Sequence, residues 1–126
     1  MMNKQILVID DDEAIRKSFK LALDEAGYRV DTAESGETGI KRAQQAIYDM
    51  IFLDLKMPGL NGVQTLKELR KFHAAVPVYI VTAFHKEFFK DLKILTNDGI
   101  EFELLRKPIG SDEILELTDS VLGRKT

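Results

Sequence analysis

Ile51-Phe52-Leu53-Asp54-Leu55-Lys56-Met57-Pro58-Gly59 is the stretch on which the fold turns. Met50 to Leu53 is an unbroken apolar run of strand length, the pattern of a strand covered on both faces. It stops on an aspartate, and a Pro-Gly turn follows within a few residues. Working outward, four further runs rich in β-branched or aromatic residues stand out: Gln5 to Ile9, Tyr28 to Thr32, Val76 to Val81 and Phe102 to Leu105. Helical spacings fill the gaps between them. Ile15, Phe19, Ala22 and Ala26 make a first apolar stripe, with Gly27 suited to a left-handed stop. Ser35 caps a second helix carrying Ile40 and Ala43. Val63, Leu66 and Leu69 mark a third, and Phe88, Leu92 and Leu95 a fourth. The last is expected to begin at Ser111 as N-cap and to carry Ile114, Leu117 and Val121. Strand and helix therefore alternate throughout, which predicts an α/β fold with a parallel sheet between two helical layers. With no repeat, linker or low-complexity tract, residues 1–126 are expected to form one domain.

Composition narrows the chemistry. Cysteine is absent, which excludes disulfides, thiolate zinc sites and cysteine nucleophiles. Two histidines, His73 and His85, cannot build a histidine-rich metal site, and both read as solvated loop residues. The formal net charge is -3, and the cations are scattered, with no basic stripe of the kind that tracks nucleic acid. No apolar run approaches the roughly 20 residues that cross a bilayer, and the first residues lack a signal-peptide core. A cytoplasmic protein binding neither nucleic acid nor membrane is expected.

The acids fall in telling places. The first strand ends in Asp10-Asp11-Asp12-Glu13 and the third in Asp54. Ligands of open parallel sheets sit beyond the carboxyl ends of the strands, where strand order reverses. If the order is 2-1-3-4-5, the two acidic ends meet there, with Thr82 ending strand four and Lys107 following strand five. Each feature alone has a plain structural use: an N-cap, a turn aspartate, a loop hydroxyl, a Lys-Pro pair leading into a helix. Their convergence at one sheet end is what points to chemistry. Two carboxylates about 4 Å apart repel by about 4 kcal/mol at an effective dielectric of 20, so a cation between them is expected. All-oxygen ligands favour Mg²⁺. That ion with Lys107 would neutralise an incoming phosphoryl group, and Asp54 can carry it as an acyl phosphate.

These segments resemble the receiver (CheY-like) domains of two-component response regulators. Ile6-Leu7-Val8-Ile9-Asp10-Asp11-Asp12-Glu13 is similar to the family's first strand and acidic pair. Leu53 to Gly62 is similar to its phosphorylation segment, and Val81-Thr82-Ala83 and Lys107-Pro108 to its remaining landmarks. The resemblance implies a doubly wound, flavodoxin-like sheet in the order 2-1-3-4-5 with five helices. It implies Asp54 as phosphoacceptor, and Mg²⁺ held by Asp11 directly, Asp10 through water, Asp54, and the Lys56 carbonyl. Thr82 and Lys107 would contact the phosphoryl oxygens. It further implies a sensor histidine kinase or histidine phosphotransfer domain as donor, a downstream output domain or protein as target, and self-catalysed dephosphorylation rather than conventional enzyme turnover. The family's strand-five aromatic has no counterpart three residues before Lys107, where Leu104 stands; Phe102 is the nearest ring, either a displaced switch or plain core. Phe84, two residues after Thr82, is read either as a restriction on hydrolytic water or as a surface ring, and Ile94 as an outward apolar residue.

Two other readings remain open from the sequence. One is a small phosphohydrolase resembling the haloacid dehalogenase group, with Asp10 as nucleophile; Ala14 and the unexplained Asp54 segment count against it. The other is an inactive interaction module. A calcium loop, a Walker loop and a Rossmann glycine fingerprint are all absent.

Overall fold

The computed structural model describes residues 3–83 and 86–123. Its strands are β1 (Gln5–Ile9), β2 (Arg29–Ala33), β3 (Met50–Asp54), β4 (Val78–Thr82) and β5 (Glu103–Arg106). Between and after them lie α1 (Glu13–Glu25), α2 (Gly36–Gln45), α3 (Gly62–Arg70), α4 (Phe89–Asn97), preceded by a 3-10 turn at Lys86–Phe88, and α5 (Ser111–Leu122). All pairings are parallel and the order is β2-β1-β3-β4-β5, as expected.

Period-two alternation within continuously apolar strands explains the two cores. Leu7, Ile9, Ile51, Leu53 and Ile80 face Ala43 of α2, Leu66 and Leu69 of α3, and Leu92 and Leu95 of α4. Ile6, Val8, Met50, Phe52 and Val81 face Phe19 and Leu23 of α1 and Ile114 of α5. Phe52 packs on Phe19 with the rings tilted by 58° at a centroid distance of 4.9 Å. The Tyr28 hydroxyl donates to Asp119, tying the start of β2 to α5.

Helix ends follow side-chain chemistry. Ser35 accepts the Thr38 amide, as expected of its cap, and Asn61 with Gln64 forms a capping box on α3. Gly27 takes the positive φ of 93° that its place after α1 requires. Three expectations are corrected. The N-cap of α5 is Gly110, whose amide donates to the Glu113 carboxylate, and Ser111 is the first helical residue. Phe88 belongs to the 3-10 turn ahead of α4. Strands two, four and five each begin one or two residues later than their apolar runs, because Tyr28, Val76 and Phe102 pack against the cores beside the sheet ends without pairing in the sheet.

Candidate functional site

The β1–β3 register brings two acidic strand ends side by side. Ile9 pairs with Leu53, so the next residue of each strand, Asp10 and Asp54, emerges at the same sheet edge. Both are buried, at 3% and 7% exposure, whereas Asp11 is exposed. Carboxylate oxygens of Asp10, Asp11 and Asp54 lie within 4.8 Å of one another. Lys107, beyond β5, places Nζ 3.2 Å from Asp10 Oδ2 and 3.1 Å from Asp54 Oδ1. Its own amide donates to the Thr82 carbonyl at 2.8 Å, which sets the buried Thr82 beside it at the end of β4.

The local backbone holds this arrangement. The Asp10 amide donates to Ala33 O at 3.0 Å, and Asp10 Oδ1 accepts the Asp12 amide at 2.9 Å. Asp12 in turn caps α1 by accepting the Ala14 amide. Asp54 Oδ1 accepts the Leu55 amide at 3.0 Å. Behind it, a side chain on Gly62 would begin 2.5 Å from the Asp54 carbonyl oxygen, so only glycine lets α3 start this close to β3.

Crowded acids titrate accordingly. Burial, then repulsion from Asp10, pushes the Asp54 carboxyl up to about 7, despite the opposing pull of Lys107. Asp10 is also raised, by burial first. Burial pulls the Lys107 ammonium down, but Asp54 and Asp10 outweigh it and leave it above the ordinary lysine value. One lysine is thus too little positive charge for three acids. A hard divalent cation fits the remaining deficit, and the donor set is entirely oxygen.

Of the residues singled out from sequence, Asp10, Asp11, Asp54 and Lys107 converge, and Thr82 lines the next strand end. Lys56 sits in the bend after β3 with an exposed side chain whose Nζ is 3.8 Å from Glu87. Phe102 packs half-buried against the core under α4, and Leu104 is 43% exposed on β5. Ile94 is 41% exposed, consistent with its outward position. His73 is not a freely solvated loop residue: it is half-buried, and Nε2 lies 2.6 Å from Ala43 O. Phe84 and His85 lie outside the described residues. Sequence reading passes over Arg16, which donates from Nη1 to Asp10 O at 2.8 Å. The available signal is a cation closing the first turn of a helix, at the end whose dipole disfavours it, directly behind an acidic run.

Comparison with known proteins agrees with this geometry. The chain is 35% identical over 126 residues to the alkaline phosphatase synthesis transcriptional regulatory protein PhoP of Bacillus subtilis, an alignment covering 98% of this chain and 50% of that protein. It thus spans about half the length of that relative. The crystal structure of response regulator protein TrrA from Thermotoga maritima, in complex with Mg(2+)-BeF, is similar at 33% identity and a TM-score of 0.77, covering 94% of this chain and 98% of that one. The chemotaxis protein CheY4 of Vibrio cholerae is similar at 26% identity and a TM-score of 0.84, covering 95% and 99%. Residues 6–119 match the family model described as the response regulator receiver domain. With the family model matched over most of its length and the fold shared with the solved structures, this chain belongs to the receiver domains of two-component response regulators.

Proposed function

We propose that Asp54 is the phosphoacceptor, taking the phosphoryl group from a phosphohistidine on a sensor histidine kinase or a histidine phosphotransfer domain. The observation that carries this reading is the convergence of Asp10, Asp11 and Asp54 with a lysine bridging two of them at the open end of the sheet. Asp10, Asp11, Asp54 and the Lys56 carbonyl would hold Mg²⁺, which when bound supplies positive charge to the phosphoryl oxygens. An Asp54 carboxylate oxygen attacks phosphorus, the P–N bond of the donor breaks, and the imidazole leaves with the bonding pair and takes up a proton. Lys107 moves from pairing two carboxylates to balancing a dianionic phosphoryl group. Thr82, buried next to it, donates its hydroxyl to the same group and draws the end of β4 inward. Water later attacks phosphorus and releases inorganic phosphate, restoring the carboxylate. The altered surface then meets an output domain or a separate protein; the longer PhoP relative is consistent with the former.

The test is covalent labelling with a small acyl phosphate donor and Mg²⁺. An acid-stable, base-labile adduct on Asp54, lost in Asp54→Asn and on chelation, is the expected result. An adduct on Asp10 would instead indicate a phosphohydrolase, and no adduct an inactive module.

A further inference from the structure

Asp10 is cross-braced at each of its polar groups. Its amide and both carboxylate oxygens have partners in Ala33, Asp12 and Lys107. The remaining group, its carbonyl, faces β2 as its amide does and lies one residue past the β1–β2 pairing, where the sheet ladder has ended. Arg16 supplies one from α1, at 2.8 Å and partly shielded from solvent. That carbonyl and the Asp11 amide belong to a single rigid peptide plane. A hydrogen bond on one side of the plane therefore restrains the backbone torsions that aim Asp11, the exposed member of the acid cluster.

Arg16 stands among acids, yet one of its guanidinium nitrogens is turned to a backbone carbonyl. It is the fourth residue of α1, closing the first turn at the helix end whose dipole disfavours a cation. Glu13 and Glu34 flank it. The Glu13 carboxyl is held below the usual range first by Lys17, and Glu34 first by its own amide and by Thr38, with Arg16 adding to both. The guanidinium is thus offset by neighbouring acids while one nitrogen reaches back to the loop.

We infer that Arg16 is a positioning residue for the cation site: by holding the Asp10 carbonyl it fixes the peptide joining Asp10 to Asp11 and so presents the Asp11 carboxylate to the ion. This rests on the reading of Asp10, Asp11 and Asp54 as a Mg²⁺ site. It also makes a prediction whose sign differs from that of simple electrostatics. A guanidinium near the cluster repels a divalent cation, so on charge alone its removal tightens Mg²⁺ binding. As a positioning group, its removal loosens binding.

Mg²⁺ titration calorimetry on the whole chain decides between them, with circular dichroism confirming the fold of each variant. Arg16→Met, which removes charge and donor on a stem of similar length, is expected to bind about tenfold more weakly, the usual scale for losing a group that orients a ligand. Arg16→Lys, which keeps a cationic donor, recovers most of the affinity. Unchanged or tighter binding in Arg16→Met overturns the inference. Should that variant not fold, Arg16→Gln removes the charge and keeps an amide on a shorter stem, and the same two outcomes apply to it. Absence of Mg²⁺ binding by the unaltered chain would instead overturn the reading of the site itself, and this inference with it.

Discussion

Asp54 is held in a place that suits its charge poorly. Burial and the facing Asp10 raise its carboxyl to about 7, against an ordinary value of 3.8. The cation-free folded state therefore binds more protons than the unfolded chain between about pH 4 and pH 7, so the Asp54 contribution to stability is present at the acid end and lost as pH rises through 7. Asp10, also raised, acts in the same sense. Urea midpoints of the metal-free protein should fall across this window by the equivalent of about 1–3 kcal/mol, with the fall reduced by saturating Mg²⁺. A flat profile unaffected by the ion would contradict the assignment. Asp54→Asn removes the charge while keeping the shape. At pH 7.5 without metal it should be more stable by about 1 kcal/mol, less than the bare repulsion because Lys107 loses a partner. Equilibrium unfolding at that pH checks the sign.

At the scale of elements, the site depends on how closely α3 approaches the end of β3. Gly62 packs against the backbone of Asp54 and Leu55, and its amide donates to Leu55 O at 2.7 Å. Backbone on both sides cannot yield as a flexible side chain would, so Gly62→Ala should destabilise the domain by about 2–4 kcal/mol. It should also slow labelling of Asp54 out of proportion to any unfolded fraction. Unfolding midpoints with labelling rates at equal folded concentration test both statements. The elements themselves were legible because their apolar runs are unambiguous: β1 agrees residue for residue, and β3 to within its final Asp54. The errors cluster where apolar residues sit just outside the ladder, as with Tyr28 and Phe102, since hydrophobicity reports burial and not hydrogen bonding. The α5 cap was missed because Glu113 supplies the contact to Gly110, a partnership invisible to a rule that looks for a polar cap residue.

For the whole molecule, one sheet buried between two cores explains why a short chain can hold four strand ends in register. Phe52 fills the core under α1 and α5 while the adjacent Leu53 fills the other, and Asp54 follows directly. Phe52→Ala should cost about 3–5 kcal/mol, since nothing around a fully buried ring in a central strand can collapse into its space. Thermal or chemical unfolding would show it, and a loss below 1 kcal/mol would argue against a rigid central strand. Asp10, Asp11, Asp54, Thr82 and Lys107 were legible together because parallel topology sends every strand end to one edge. Arg16 was not, because its contact is to a backbone carbonyl, and no residue pattern marks which carbonyls lack a partner. The central claim is that separate strand ends surround one cation, and replacing Mg²⁺ by paramagnetic Mn²⁺ tests it directly. At substoichiometric Mn²⁺, backbone amide resonances near Asp10, Asp11, Asp54 and Lys107 should broaden together and before any others. Broadening confined to a single strand end, or centred on the exposed acids Asp112 and Glu113 of α5, would contradict it.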